Sequence, residues 1–555
     1  MKTGYNIFIL LVPIFFSCSK GGNGTTAPVH ENFICNSVKL NGASSSSNNF
    51  TNTKLLPGIQ LAFSTSISRS SASSVISFTN ASGAAVPVSL SFQNNDSVLL
   101  LQPTQALSGI SAYTILVPVS LVSQSGGNLT SAVTISFTTS IYSTDKFSLI
   151  ADTALLTLIQ QKTFKYFWDF GHPLSGLARE RNTSGETVTS GGSGFGIMAI
   201  VTGINRNFIT RAQGLTRLQT IVSFLKNTAQ KFHGAFPHWL NGTSGVVIPF
   251  SANDDGADLV ETSYLMQGLL CARQYFNSNA TDETALRNDI NTLWNGVQWD
   301  WFRQNNQDVL YWHWSSDFNW QINMPIKGWN ECLITYVLAA SSTTHNIPKV
   351  VYDSGWASNG AFVNGASYYG YTLPLGPATG GPLFLSQYSF LGINPNGLSD
   401  AYANYATQTK NHTLINYNYC KTNPKNYYGY SDSCWGLTAS DIQNGGYSAS
   451  SPTNDLGVIA PTAAISSLPY TPTESMQALK FYYYVLGDKL WKDYGFVDAF
   501  SLQDAWFADS FLAIDQGPEI VMIENYRSGL LWSLFTSCPE VKTGMTALGF
   551  SAPYL

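Results

Sequence analysis

Asn253-Asp254-Asp255-Gly256-Ala257-Asp258-Leu259-Val260-Glu261-Thr262-Ser263-Tyr264 opens a segment in which Leu259, Leu265, Leu269, Leu270 and Ala272 recur at helical spacing. The spacing predicts a helix over 254–276. On it, Asp254, Asp258 and Glu261 stand at i, i+4 and i+7 and project three carboxylates from one face. Like charges so placed repel, and in a poorly solvated pocket one of them is pushed to stay protonated. A protonated carboxyl beside an ionised one is the pair that glycoside hydrolysis uses. The competing reading is an N-terminal turn whose acids cap the helix and favour its positive end. That reading accounts for Asp254 and Asp255, and poorly for Glu261, two turns in.

Helical periodicity continues on both sides. Amphipathic stretches recur near 152–168, 193–205, 208–231, 281–302, 327–341, 384–391, 398–419, 456–467, 472–488 and 518–534. Loops rich in Gly, Pro and aromatic residues, such as 365–381, separate them. About a dozen helices fit a ring of helical hairpins, an (α/α)6 barrel over 148–555, with long loops walling a funnel at one end; superhelical arrays give similar helix counts. Before a linker at 140–147 the pattern changes. Val88-Ser89-Leu90-Ser91-Phe92 and Val133-Thr134-Ile135-Ser136-Phe137 alternate with period two between Ser/Asn/Gly turns, which predicts an antiparallel β-sandwich over 33–140. Its succession Leu61-Ala62-Phe63-Ser64, Asn95-Asp96-Ser97-Val98-Leu99, Tyr113-Thr114-Ile115 resembles bacterial Ig-like modules. No catalytic constellation stands out there. The fold class expected is an all-β Ig-like sandwich followed by an all-α (α/α)6 barrel.

Among 555 residues only 11% are charged, against 13% aromatic; about 25% charged is usual. A net charge of −5 supplies no basic field and argues against a nucleic-acid partner. Abundant Trp, Tyr, Asn, Ser and Gly suit a neutral polar ligand such as a sugar, although most of the aromatics are expected in a core. At the start, Lys2 precedes an apolar run at 7–16 that is too short to span a bilayer and reads as a signal-peptide core. Ser17-Cys18 at its end resembles the bacterial lipobox, with Phe15 in place of the usual Leu. Residues 1–18 are therefore expected as a lipoprotein signal peptide, Cys18 as the lipidation site and 19–32 as a flexible tether. Ser19-Lys20-Gly21-Gly22 carries no acidic run of the kind that resembles surface-export signals. The expectation is thus an outer-membrane lipoprotein of Bacteroidetes type, facing the periplasm and monomeric. The remaining cysteines form no C-x-x-C pair, so no zinc site, no other metal and no cofactor are expected. Cys271 and Cys332 read as small buried hydrophobes, and Cys420 and Cys434 could pair as a disulfide.

The helical region also carries long distinctive blocks. They include Gly328-Trp329-Asn330-Glu331-Cys332, Ser386-Gln387-Tyr388-Ser389-Phe390-Leu391-Gly392, Cys434-Trp435-Gly436-Leu437-Thr438-Ala439-Ser440-Asp441 and Ala513-Ile514-Asp515-Gln516-Gly517-Pro518. In this order, over about 400 residues, they resemble the glucoamylase-like domain of glycoside hydrolase family 144. The resemblance implies an (α/α)6 barrel that hydrolyses β-1,2-glucan with inversion, either internally or by releasing short units from an end. It also implies activity roles for Asp254, Asp258, Glu261 and Glu331, with Asp515 a distant candidate for the base.

Glu331, preceded by Trp329 and followed by Cys332-Leu333-Ile334, fits a general acid whose pKa burial would raise. Its bland alternative is a pair with a buried Arg or Lys. Asp258, Glu261 and Asp515 all remain open as the base. For substrate binding, Trp239, Trp314, Trp320 and Trp329 could stack on sugar faces or serve the core. Arg179 and Arg181 could hold hydroxyls, and His313 could bind sugar or a loop carbonyl. Alternatives of other classes are a non-catalytic glycan-binding lipoprotein and a polysaccharide lyase; the latter needs cations to neutralise a uronate, and the acidic cluster does not supply them.

Overall fold

The computed structural model describes residues 32–555, so the expected signal peptide, Cys18 and almost all of the tether lie outside the described residues. The chain divides into two compact units. The first ends at Leu107 and takes in Ser111–Thr139; the second joins Ser108–Ile110 to Ser140–Leu555.

The first unit is a β-sandwich. Its strands are β1 (Cys35–Leu40), β2 (Asn49–Thr53), β3 (Ile59–Phe63), β4 (Ser77–Asn80), β5 (Val88–Gln93), β6 (Val98–Pro103), β7 (Ala112–Val117) and β8 (Val133–Thr139), with a short helix α1 (Arg69–Val75) capped by Ser68. Two four-stranded sheets form, β1-β3-β6-β5 and β2-β8-β7-β4. Alternation places Ile59, Leu61 and Phe63 of one sheet, and Ile135 and Phe137 of the other, in the core, as period two demands. One pairing departs from the antiparallel expectation. β2 and β8 run parallel, which is open to strands joined by a long excursion through the other strands and closed to a hairpin.

The second unit is a double ring of helices. Its inner members are α3 (Ser190–Asn205), α5 (Leu259–Tyr275), α7 (Leu333–Ser341), α10 (Pro461–Ile465) and α13 (Ala513–Ser528), with two 3₁₀ turns, Leu383–Ser386 and Ser389–Leu391, in the remaining place. They close a circle: α13 packs on α3, α3 on α5, α5 on α7 and α7 on the second turn. Gln387 then donates to the Ala463 carbonyl at 3.0 Å and α10 returns to α13. Around this ring lie α2 (Asp152–Trp168), α4 (Arg211–Asn227), α6 (Thr281–Gly296), α8 (Lys349–Val351) with its following turn, α9 (Tyr405–Thr422) and α11 (Pro472–Lys480). The short α12 (Gly487–Leu490) follows α11, while α14 (Leu530–Thr536) packs on α5 and α15 (Pro539–Leu548) on α7. This is the (α/α)6 barrel.

Sequence explains which helices are inside. α3 is buried at every position from Ser190 to Ile204, and α5 from Leu259 to Ala272. In α4 only one stripe is buried, Leu215, Leu218, Ile221, Val222 and Leu225 among it, as an outer helix requires. Small residues let α3 and α5 cross at backbone contact. A methyl group on Gly268 would overlap the Gly194 carbonyl, and one on Gly194 would overlap the Tyr264 carbonyl.

Several helix limits differ from the periodicity. The predicted 281–302 helix stops at Gly296, and 518–534 is two helices hinged at Gly529, whose φ is +67°. The 398–419 helix starts at Tyr405, where Asn404 accepts from Thr407 N–H and so caps it. The possible Cys420–Cys434 disulfide is not formed: both are buried free thiols, packed as small apolar groups. Among the described residues, no helix is long and apolar enough to cross a membrane.

Candidate active site

The acidic stretch does not form one helical face. Helix α5 begins at Leu259, and Asp258 is its N-cap, in extended conformation, with Oδ1 accepting from Val260 N–H at 3.0 Å and Glu261 N–H at 2.9 Å. An aspartate that satisfies two orphan helix donors gains more as a cap than as a helical residue. Upstream, after β9 (Thr187–Thr189), β10 (Trp239–Asn241) and β11 (Val247–Ile248), the short β12 (Ala257–Asp258) pairs with β13 (His313–Trp314). Gly256 lies so close to the Trp314 carbonyl that a side chain there would overlap it. Asp254 sits in a turn before the strand and not on the helix.

The consequence is a buried ladder of alternating charge. Asp258 Oδ2 lies 3.1 Å from His238 Nδ1 and 3.9 Å from His313 Nδ1, and His313 Nδ1 lies 3.3 Å from Asp254 Oδ2. Asp258 is fully buried, at 0% exposure. Burial alone would raise its pKa, but the hydrogen bond from His238 and the charge of His313 hold it below the usual carboxylate range. For His238, burial works against the cation, yet Glu261, Asp258 and Asp254 lift it to about 9. His238, Asp254 and Asp258 are the grouping among the described residues with the donor types of a metal site. With His313 beside them, two imidazoles face two carboxylates in this grouping.

Glu261 stands in the first turn of α5. Its Oε2 accepts from Gly191 N–H at 2.9 Å, in the first turn of α3, with Thr189 Oγ1 at 3.4 Å. Burial raises its pKa and the charge of His238 opposes that rise, leaving it above the ordinary value. Glu331 lies two residues ahead of α7, its carbonyl bonded by Ser389 Oγ and by Tyr264 Oη. Burial, then the charges of Glu261 and Asp258, push its carboxyl up to about 7. Both open into a cavity of about 390 Å³ whose walls include His238, Trp239, Phe250, Trp312, Tyr388 and Tyr447. The starts of α3, α5, α7 and α13 all meet there, so positive helix ends face the acids.

Across the cavity, Arg181 pairs with Glu180 at 2.9 Å and Asp441 at 3.2 Å, and Ser510 Oγ donates to Asp441 at 2.6 Å. Behind them, Asp515 in the first turn of α13 adjoins Asp498. Burial and then the charge of Asp441 raise Asp498 to about 7, while burial and then the charge of Asp498 raise Asp515 well above its ordinary value. A second cavity of about 550 Å³, walled by Trp506, Phe507 and Asp509, shares Arg181 and Tyr447 with the first.

The structure separates the sequence candidates. Glu331, Glu261, Arg181 and Trp239 line the first cavity, whereas Asp254, Asp258, His313 and Asp515 stand behind its walls. Trp329 is core, packed against Trp356, Phe390 and Tyr405. Trp314 and Trp320 pack on Trp301, and Arg179 lies over the Phe170 ring. These four are held by aromatic partners distant in the sequence or packed beside them in the fold. Sequence reasoning did not select His238, Tyr388, Tyr447 or Phe250. A lone His beside Trp239 in Phe236-Pro237-His238-Trp239 was the available signal for the first.

A family model described as "Putative glucoamylase" matches residues 323–539, and one described as "Bacterial Ig-like domain" matches 42–139. An exo β-1,2-glucooligosaccharide sophorohydrolase (non-reducing end) of Parabacteroides distasonis is 46% identical over 419 residues, 71% of this chain and 58% of that protein. The match thus spans less than two thirds of that relative's length. A crystal structure from Bacteroides uniformis described by the same glucoamylase words superposes with a TM-score of 0.73 at 55% identity, covering 74% of this chain and 100% of that one. An endo-β-1,2-glucanase from Chitinophaga pinensis, in complex with sophorotriose and glucose, gives a TM-score of 0.72 at 51% identity over 73% of this chain and 100% of that one. With more than half of their residues identical over the whole of both solved chains, this chain belongs to the same glucoamylase-like family.

Proposed function

We propose that the chain is an inverting glycoside hydrolase of β-1,2-linked glucan, with Glu331 as general acid and Glu261 as general base. The observation that carries this reading is Glu331, a carboxyl raised to about 7 that opens into the cavity Glu261 also lines. Near neutral pH it retains a proton to give to the glycosidic oxygen, and the negative charge of Glu261 is one of the forces that hold that proton. Of the acids left open as base, Asp258 has both oxygens engaged inside the protein, and Asp515 is held protonated by burial and by Asp498. Glu261 has one oxygen tied to α3 and the other without a hydrogen-bond partner among the described residues, fit to take a proton from water on the far face of the sugar. The aromatic walls suit pyranose faces. The names of two relatives, an endo-β-1,2-glucanase and a β-1,2-glucooligosaccharide sophorohydrolase, support the linkage.

The test is release of reducing sugar from β-1,2-glucan, with the anomer of the first product followed by NMR. Glu331→Gln keeps shape but cannot donate a proton, and loses about 10²–10⁴-fold on natural glucan. The loss is smaller on an aryl glycoside whose leaving group needs no protonation. Full activity in that variant sinks the mechanism; an unsaturated, ultraviolet-absorbing product makes the protein a lyase; binding without turnover makes it a glycan-binding protein. Phe15-Phe16-Ser17-Cys18 further supports lipidation at Cys18 and attachment to the outer membrane on its periplasmic side. Cys18→Ser then moves the protein to the soluble fraction, and continued membrane attachment refutes the anchor.

A further inference from the structure

Asp258 and Asp254 do not reach the cavity, so any effect they have on the reaction travels through another group. Asp258 spends Oδ1 on two N–H groups of α5 and Oδ2 on His238. Asp254 faces His313, which lies between the two acids. The one member of the ladder that lines the cavity is His238.

Its ring is fixed on three sides. Nδ1 is held by Asp258 at 3.1 Å, one face lies against Phe250 with centroids 4.1 Å apart and 23° between planes, and Trp239 meets it edge-on at 5.7 Å. The backbone is pinned as well, since the His238 carbonyl accepts from Ser190 N–H at 3.1 Å, at the start of α3. With Nδ1 committed, Nε2 has no hydrogen-bond partner among the described residues and is the nitrogen left for a ligand. We propose that His238 is the substrate-binding cation of this site, donating Nε2–H to a glucan hydroxyl beside Glu331 and Glu261, and that Asp258, Asp254 and His313 are positioning residues acting through it.

This inference rests on the hydrolase reading above and adds a role that the acids alone do not explain. The charged and titratable groups facing the imidazole are Asp258, the cap of α5 on β12, Glu261 from α5, Asp254 from the turn before them and His313 from β13, with Glu331 sharing the cavity from the approach to α7. The remaining neighbours, Phe250 and Trp239, are uncharged. Three nearby acids favour the cation, and an imidazolium also favours the ionised form of Glu261. A neutral sugar gains from such a donor because a charged donor to a hydroxyl makes a stronger bond than a neutral one.

The experiment is a cycle of His238→Gln, Asp258→Asn and the double variant, read as kcat and KM on β-1,2-glucan across pH. Asparagine retains the N-cap acceptor, so Asp258→Asn removes charge and leaves α5 its cap. The expected result is a tenfold or larger fall in kcat/KM for His238→Gln. Its acid limb moves to higher pH, because Glu261 has lost its cation, whereas a merely structural change would leave that limb in place. Asp258→Asn costs less in the His238→Gln background than in the wild type. If His238→Gln does not fold, glucan binding to Glu331→Gln is compared with binding to Glu331→Gln/Asp258→Asn by calorimetry, with weaker binding expected in the second. Unchanged kcat, KM and pH limb in His238→Gln, equal costs of Asp258→Asn in both backgrounds, or equal binding in the calorimetric pair overturns the inference. Wild-type protein inert on β-1,2-glucan overturns the hydrolase reading instead.

Discussion

Gly191→Ala tests the proposed base with a single methyl group. On Gly191 that methyl would overlap Glu261 Oε2 and stand 2.9 Å from both Glu261 Cδ and Tyr264 Cδ2. The carboxylate must therefore swing away, and the bond from Gly191 N–H at 2.9 Å is lost. A hydrogen bond to a charged group contributes about 1.5–3 kcal/mol. At about 1.4 kcal/mol per decade of rate, and with the loss falling on the base, kcat/KM drops roughly 10- to 150-fold. The sign of the pH effect is fixed too. Glu261 already titrates above the ordinary glutamate value because of burial, and Gly191 is one of the donors pulling it down. Without that donor its pKa rises further, less of it is ionised at a given pH, and the acid limb moves to higher pH. Stability should change less than rate, since alanine in a helix gains about 1 kcal/mol over glycine and offsets part of the crowding. The assay is kcat/KM on β-1,2-glucan from pH 4 to 9, beside a thermal melt. Wild-type turnover with an unmoved acid limb would refute Glu261 as the base.

Two further outcomes follow from buried acids and from the second cavity. Burial holds Glu519 neutral, at about 8. Its contribution to stability is whole below the unfolded value near 4.5 and is lost as pH climbs through 8, up to roughly 5 kcal/mol at the limit. Glu519→Gln should therefore raise the melting temperature at pH 8 and leave it nearly unchanged at pH 4.5; an equal shift at both values contradicts the assignment. Trp506 walls the cavity that adjoins the catalytic one through Arg181 and Tyr447. If long glucans extend into it, Trp506→Ala raises KM for polymer roughly three- to tenfold, the scale of one lost aromatic platform, and spares a trisaccharide. Equal losses on both substrates place Trp506 outside the glycan path.

The helical barrel was legible because helical periodicity recurs about a dozen times and the long blocks resemble a known family; the structure adds that α3 and α5 are buried nearly all round, whereas α4 and α6 bury one stripe. Glu331 could be picked out because its neighbours along the chain, Trp329 and Cys332 to Ile334, are also its neighbours in space and supply the burial that raises it. The acidic stretch was misread in its geometry for the opposite reason. Whether Asp258 is a helical residue or a cap depends on the pairing with His313, far along the chain, and periodicity is blind to that pairing. His238 escaped selection because its chemistry comes from Asp258 and Phe250 across a strand turn, and nothing adjacent in sequence announces it. The tryptophans show the same limit. Trp239 and Trp329 were both candidates for stacking on a sugar face, yet one lines the cavity and the other fills the core.

The contact between Gly194 and Gly268 bears on how the protein fails when heated. Glu261 and its donor Gly191 belong to α5 and α3, and at Gly194 and Gly268 these two helices touch backbone to backbone. Rotamer hopping, the first motion that warmth loosens in an interior, has no lever at that crossing. The approach of the two main chains that carry Glu261 and the Gly191 amide is fixed there and changes only when the helices part, although the carboxylate itself still turns about its own side-chain bonds. Loss of turnover on heating should then coincide with cooperative unfolding of the barrel, with no inactive but folded intermediate preceding it.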